Sequence, residues 1–283
     1  MANIAFLGTG LLGGACAEAA AKRGDKVTVW NRSVDKARDL ARFGIVVAAT
    51  PAEAVRDAER VHLVLKDDAV VDAVIASARP GMRADAILID HSTTLPELTA
   101  RRATRLAAEG LRFLHCPVFM TPLAARGAKG SMLAAGPRAI FDAVKDELAA
   151  MTGRLEYQGE RSDLAAAKKL LGNALILSLV GTLADVMTLA QATGVDAREA
   201  IDLARLFDLN AMVATRGASM AQGDFAPSFE LAMARKDFGL MLETAGGRPL
   251  AVLPGIAARM DQLIAAGQGA ADVTSLARDA LAH

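Results

Sequence analysis

Cysteine is scarce, with 2 residues among 283. Cys16 lies in a helical stretch and Cys116 precedes Pro117 at a strand end, and both fit small buried thiols. A disulfide scaffold is not expected in a long, cysteine-poor chain. Net charge is missing as well: 32 Lys and Arg face 32 Asp and Glu. That balance gives no electrostatic reason for nucleic acid or an anionic membrane as the main partner, so any anionic ligand must be held by local features. Histidine is rare, and His62, His91, His115 and His283 show no metal-ligand spacing; no metal is expected. The opening residues MANIAFLGTG carry no basic region and no cleavage signature, so a cytoplasmic chain is expected. The most apolar uncharged run, Leu170 to Ala184, falls short of the ~20 residues needed to span a bilayer and is interrupted by Gly172 and Asn173. A buried helix is expected there, apolar on nearly every face. There is no internal repeat and no low-complexity linker.

What is present is apolar material, 53% of the residues, ample for one large core or two medium ones. The first half alternates short β-rich runs with Ala-rich helical segments. Ile4 to Leu7, Val27 to Trp30, Ile45 to Ala48, Val61 to Leu65 and Ile87 to Ile89 read as strands. They are continuous apolar runs, as parallel strands buried on both faces are. Ser33 and Thr50-Pro51 read as helix starts. Phe113-Leu114, Ser131 to Ala135 and Leu155 to Tyr157 read as additional strands. After about Arg161 the strand signal stops, and helices are expected at Ser162–Ala192, Ala197–Phe207, Ala211–Ala221, Leu231–Ala245 and Pro254–Ala266. The pattern predicts an α/β Rossmann-like doubly wound N-terminal domain, residues 1–160, followed by an all-α C-terminal domain, 161–283, joined by a long interdomain helix.

Gly8-Thr9-Gly10-Leu11-Leu12-Gly13 is a G-x-G-x-x-G motif. It follows a predicted strand and opens a predicted helix, the context that gives the motif meaning. Gly8 allows the tight turn, Gly10 lets the backbone approach a pyrophosphate, and Gly13 allows close helix–strand packing. The helix N-terminus then presents free N–H groups to the phosphates. The next strand ends in Trp30-Asn31-Arg32-Ser33. An NAD site usually has a carboxylate here; Asn31, Arg32 and Ser33 provide donors and a guanidinium, which suits the 2′-phosphate of NADP(H). The plain alternatives are a solvated turn for Arg32 and a helix cap for Ser33. Leu65 and Lys66, at the end of the fourth strand, complete the expected cofactor set.

These residues resemble the β-hydroxyacid dehydrogenase family, which includes 3-hydroxyisobutyrate dehydrogenases and glyoxylate or succinic semialdehyde reductases and carries the NADP-binding domain type of 6-phosphogluconate dehydrogenase. The resemblance runs almost end to end. Asp90-His91-Ser92-Thr93-Thr94-Leu95-Pro96 is similar to the family's D-x-S-T-x-x-P loop near the nicotinamide, Cys116-Pro117-Val118 to its Pro-Val turn, and Lys169 with Asn173 to the Lys and second Asn of its K-x-x-N-N helix. Lys236-Asp237 matches a later Lys-Asp pair, and Gly267-Gln268-Gly269 with Asp272 and Thr274 a C-terminal pattern. The resemblance implies Lys169 and Asn173 as catalytic residues, and Ser92, Thr93, Phe119, Met120 and Thr121 as substrate contacts. It also implies that Thr93 and Lys236 reach the cofactor. Carbonyl reduction needs a hydride and a proton, and Lys169 can supply the second. Residues at i and i+4 share a helix face, which lets Asn173 act beside it. Lys168 is the neighbouring alternative, and a pair of solvated lysines is the plain one. For Ser92 and Thr93 the plain reading is a turn that caps the next helix.

One segment departs from the family. Phe119-Met120-Thr121 stands where most members have Ser-Gly-Gly, and the bulk of Phe119 and Met120 limits how closely a ligand approaches. With Pro122 it is closer to the Val-Phe-x-x-Pro loop of divergent members and of imine reductases, which share the architecture but generally place another residue at the lysine. Three function classes follow: an NADP(H)-dependent oxidoreductase of a small hydroxy acid, aldehyde or keto acid; an imine reductase; or a non-catalytic NADP(H)-binding redox sensor. The expected partners are a small-molecule substrate and a second copy of the chain, giving a homodimer or higher oligomer through the helical domain.

Overall fold

The computed structural model describes residues 2–281, so His283 lies outside the described residues. The chain forms two compact units, Met1–Asn173 and Ala174–His283. The division falls inside the helix Asp163–Thr193 and not at its start, because the first turns of that helix pack on the N-terminal core: Ala165 is buried against Leu133 and Ala135.

In the first unit, β1 (Asn3–Leu7), β2 (Lys26–Trp30), β3 (Val46–Val47), β4 (Arg60–Leu63), β5 (Ile87–Asp90) and β6 (Arg112–His115) are parallel, in the order β3-β2-β1-β4-β5-β6. This is the doubly wound order of dinucleotide-binding sheets. β8 (Ser131–Ala135) extends it antiparallel to β6, β7 (Val118–Phe119) pairs antiparallel with β8, and β9 (Arg154–Gly159) runs parallel to β8. The alternation of a strand's side chains divides the core in two. Ile4 and Phe6 join Val27, Val29, Ile87 and Ile89 on one face; Ala5 and Leu7 join Val61, Leu63 and Leu88 on the other.

Three local expectations change. The fourth strand ends at Leu63, not Leu65, which releases Val64, Leu65 and Lys66 into a loop. β7 is new; two residues after a proline carry no periodicity of their own. Ser33 caps no helix: the following helix, Asp35–Arg38, starts without a side-chain cap, and the Ser33 carbonyl accepts from Asn31 Nδ2 instead. Thr50 does cap, in a reciprocal box with Glu53.

The second unit is helical, with Ala197–Asp202, Leu209–Gln222, Leu231–Ala245 and Leu253–Ala265 following the rest of the long helix. The expected helix Ala197–Phe207 breaks into a 3-10 turn at Leu203–Leu206, and a 3-10 segment, Val273–Leu281, was not anticipated. Leu231, Ala234, Met260 and Leu263 form the core. Two buried carboxylates tie the loops. Asp185 accepts the N–H groups of Ala251, Val252 and Leu253 at 2.6, 2.9 and 2.9 Å, capping a helix whose own N-terminus has no side-chain cap. Burial pushes its carboxyl up, but these donors prevail and hold it below the ordinary range.

The long helix was expected to be buried by the second domain and by a partner subunit; within this single chain 6% of its most apolar window is buried, and Leu171, Leu175, Ile176, Leu177, Leu179 and Val180 stand exposed. At 31 residues it is long and apolar enough to cross a membrane by length and composition. Its uncharged run, 170–184, is bounded by Lys169 and Asp185 and is shorter than the ~20 residues a span requires.

Asp272 is the second such carboxylate. It accepts from Ser228 N and Oγ, Phe229 N, and Thr274 N and Oγ1, all at 2.8–2.9 Å, and pairs with Arg216 at 3.4 Å. Burial opposes its charge, but the donors outweigh burial and hold its pKa far below the carboxylate range. A depressed folded-state pKa contributes stability that is present above the unfolded value of about 3.9 and is lost as pH falls towards the folded one. Asp272→Asn is therefore expected to cost about 2 kcal/mol in urea unfolding at pH 7, and less at pH 3. A cost unchanged between the two pH values would contradict this account.

Candidate active site

The turn after β1 is built on contacts that only glycine permits. Gly8 has φ +103°, and a Cβ there would lie 2.3 Å from the Val64 carbonyl oxygen. A Cβ on Gly13 would lie 2.1 Å from the Gly8 oxygen. Gly10 faces open space, with nothing within 4 Å of its missing Cβ. The helix Leu11–Lys22 begins there with no side-chain cap, so its first N–H groups have no partner inside the helix. Asn31 holds the turn: its Oδ1 accepts from Thr9 N at 3.0 Å and its Nδ2 donates to Ser33 O at 2.9 Å. Asn31 thus shapes the site with its amide, and Thr9 is buried beside it.

A cleft of about 910 Å³ opens in front of this turn. Gly8, Gly10, Leu11, Leu12, Gly13, Asn31, Arg32, Ser33, Leu65, Lys66, Ser92 and Thr93 all line it. Its wall carries three cationic side chains, Arg32, Lys36 and Lys66, and no carboxylate. The open Gly10, the free helix N–H groups and the three cations on the wall fit a dinucleotide with an additional phosphate. Lys36 was missed from sequence, although it stands four residues after Arg32, in the helix Asp35–Arg38.

The Asp90–Pro96 loop is fastened from below. Asp90 is fully buried; its Oδ1 accepts Ser92 N–H at 2.9 Å, and its Oδ2 faces His115 Nδ1 at 3.5 Å and Arg102 Nη1 at 4.0 Å. Burial pushes the Asp90 carboxyl up, but His115 and Ser92 outweigh it and hold it down. Ser92 Oγ accepts from Leu65 N at 3.0 Å, which joins this loop to the one after β4. Neither Ser92 nor Thr93 caps the next helix, Pro96–Ala108, which has no side-chain cap; Thr93 is exposed to the cleft. His91, to which the sequence assigned no site, also lines the cleft. Its Nδ1 lies 2.7 Å from Cys116 O and its Nε2 lies 2.9 Å from His62 Nδ1. Burial lowers the pKa of both rings, so both are neutral, His62 donating to His91 and His91 to the carbonyl. Among the described residues no group of three His, Cys, Asp or Glu side chains is placed to hold a metal.

Lys169 and Asn173 come together one turn apart on the long helix, Nζ to Oδ1 at 2.9 Å. Lys169 is 8% exposed, and burial lowers its pKa from the ordinary lysine value. The Phe119 ring covers it, with Nζ 4.0 Å from the ring centroid. Lys168, the alternative, is exposed and donates to Gln158 at 2.6 Å. Met120 packs on the N-terminal core, and Thr121 accepts from Ala124 N, capping the short helix Pro122–Arg126. These two residues shape the loop from behind. Arg126 bonds Glu18 at 2.7 Å, tying this helix to the dinucleotide helix; Lys22 pairs with the same carboxylate. Lys236 lies in the helix Leu231–Ala245, exposed and paired with Asp237 at 3.0 Å.

A glycine turn, a cationic cleft and a doubly wound sheet define a pyridine-dinucleotide-binding protein. Residues 3–159 match the NAD binding domain of 6-phosphogluconate dehydrogenase, and residues 164–279 match the NAD-binding domain of NADP-dependent 3-hydroxyisobutyrate dehydrogenase. The chain belongs to the β-hydroxyacid dehydrogenase family of NADP-binding oxidoreductases. It is 30% identical to the cytokine-like nuclear factor N-PAC of Xenopus tropicalis over 85% of this chain, spanning 46% of that relative's length. It is 28% identical to glyoxylate/succinic semialdehyde reductase 1 of Arabidopsis thaliana, covering 88% of this chain and 89% of that protein. The structure of an imine reductase from Streptomyces aurantiacus superposes with a TM-score of 0.88 at 25% identity, over 98% of this chain and 99% of the other.

Two substitutions test the cleft. Arg32→Asp is expected to weaken NADPH binding at least tenfold relative to NADH, measured by nicotinamide fluorescence, because a carboxylate repels the 2′-phosphate. Gly13→Ala is expected to weaken both cofactors, since its methyl must displace the backbone of Gly8. Equal loss of NADPH and NADH in Arg32→Asp would remove Arg32 from the phosphate site.

Proposed function

We propose that the protein reduces a small aldehyde or keto acid with NADPH, or oxidises the corresponding hydroxy compound, with Lys169 as proton donor and acceptor. The observation that carries this reading is the buried Lys169 ammonium, held at 2.9 Å by Asn173. Gly8 to Gly13, Arg32, Ser33, Lys36, Leu65 and Lys66 would hold the cofactor, which supplies the hydride when bound. A carbonyl oxygen that gains hydride needs a proton. Lys169 can donate a hydrogen bond to that oxygen, stabilise its growing charge and release the proton to it. Burial makes the ammonium a stronger acid than free lysine, which eases the transfer. Asn173 takes one Nζ–H and so orients the others. Ser92 and Thr93 offer hydroxyls to the nicotinamide amide or the substrate.

The exposed apolar run Leu171–Val180 supports a second part of the proposal, a homodimer or higher oligomer that covers this helix. The proposed setting is cytoplasmic. Leu175→Arg with Leu179→Arg is expected to give monomers in light scattering; an unchanged assembly would place the interface elsewhere.

Lys169→Ala is expected to lower kcat/KM for carbonyl reduction by about 10²–10⁴-fold while NADPH affinity is kept. Reduction needs the protonated amine, so its rate should fall as pH rises through a pKa below about 10.4, and oxidation should rise over the same range. The likeness to an imine reductase supports one competing reading. Turnover of cyclic imines but not carbonyls, indifferent to Lys169→Ala, would replace the first reading with that one.

A further inference from the structure

A lysine removed from water is usually met by a carboxylate. Lys169 has none within ion-pair distance among the described residues; its partners are the Asn173 amide oxygen and the face of Phe119. The Phe119 ring is fixed in place. β7 pairs Phe119 with Ser131, and the ring packs against Leu133, Ala135 and Ala165. Its tip rests on the long helix at Gly172, where an added Cβ would lie 2.4 Å from Cζ and 2.8 Å from Cε1. Strand register, core packing and a glycine notch three residues beyond Lys169 therefore hold one aromatic face over the ammonium.

Two backbone donors of the same segment are already committed. Leu133 N donates to Pro117 O, so the antiparallel alternation puts Phe119 in a hydrogen-bonded pair and directs its N–H to Ser131. Pro122 has no N–H, and the Ala124 N–H is held by Thr121 Oγ1 at 3.2 Å. A carboxylate needs several donors, and an aromatic ring supplies none. A neutral carbonyl oxygen needs a single Nζ–H, and an apolar substituent gains contact with the ring.

We propose that Phe119 is the specificity-determining residue of this site, selecting neutral carbonyl compounds with an apolar substituent over those that carry a carboxylate. The inference rests on the carbonyl-reduction reading and narrows its substrate class.

Benzaldehyde and 4-carboxybenzaldehyde, which differ only in the anionic group, test it with NADPH in the wild type, Phe119→Ser and Phe119→Leu. The wild type is expected to favour benzaldehyde in kcat/KM by on the order of tenfold or more. Phe119→Ser should lose that preference, and Phe119→Leu, which keeps apolar bulk, should retain most of it. Melting temperature and NADPH affinity report whether each variant is folded; if the Ser variant is not, Phe119→Ala takes its place. Equal use of both aldehydes by the wild type overturns the proposal, and so does a preference that survives in the folded Ser or Ala variant. If neither aldehyde is turned over, the carbonyl reading fails on its own. The selection is then read from calorimetric binding of benzamide and benzoate to the protein–NADPH complex. Preference for benzamide that is lost in Phe119→Ser upholds the proposal; equal binding, or none, overturns it.

Discussion

Backbone contact at the end of β1 governs the rest of the first unit. The helix Leu11–Lys22 approaches the strand so closely that Gly13 has no room for a methyl group against the Gly8 carbonyl. Gly8 in turn leans on the carbonyl of Val64, the first residue after β4. Two neighbouring parallel strands are thereby locked to one helix N-terminus. The free N–H groups of that helix, the loop carrying Leu65 and Lys66, and through Ser92 the loop after β5 are placed by a few ångströms of glycine backbone. The cationic wall adds preference among dinucleotides but does not create the place where one fits.

A second layer keeps the loops from relaxing. Asp90, Arg102 and His115 are buried together beneath the Ser92–Thr93 loop, with Arg102 also bonded to Asp68 and Asp72. The Asp90 and Arg102 charges at this depth persist because they answer each other, and loss of one would strand the other. The neutral His62–His91 pair does similar work without charge, fixing a ring of the cleft wall to the backbone of Cys116.

Much of this was legible in the residues. The strand-turn-helix context of Gly8 to Gly13, the absence of a carboxylate after β2, and the i to i+4 relation of Lys169 and Asn173 are local patterns, and local geometry follows from them. The misses have a common physical origin. His62 and His91 have partners 29 residues apart in sequence, and β7 exists only because β8 pairs with it. Asp185 was unremarkable among apolar neighbours, yet its carboxylate serves a helix that begins 68 residues later. The different surroundings of Lys168 and Lys169 appear only with the helix seated, one side chain turned to Gln158 and the other under Phe119. Periodicity marked the long helix as apolar all round, but it could not say how little of it this chain alone would bury.

Glu18 joins two parts that a sequence reading treats as separate. It sits on the dinucleotide helix and holds Arg126, at the end of the short helix that follows the Phe119 loop. The glycine-turn helix and the Phe119 segment are therefore mounted on one bracket. Transplanting the loop from a relative without its matching helix face would leave a buried acid unclaimed on one side and a guanidinium adrift on the other. For this scaffold, the smallest unit that can be exchanged to alter what it accepts is a loop together with the helix surface that anchors it.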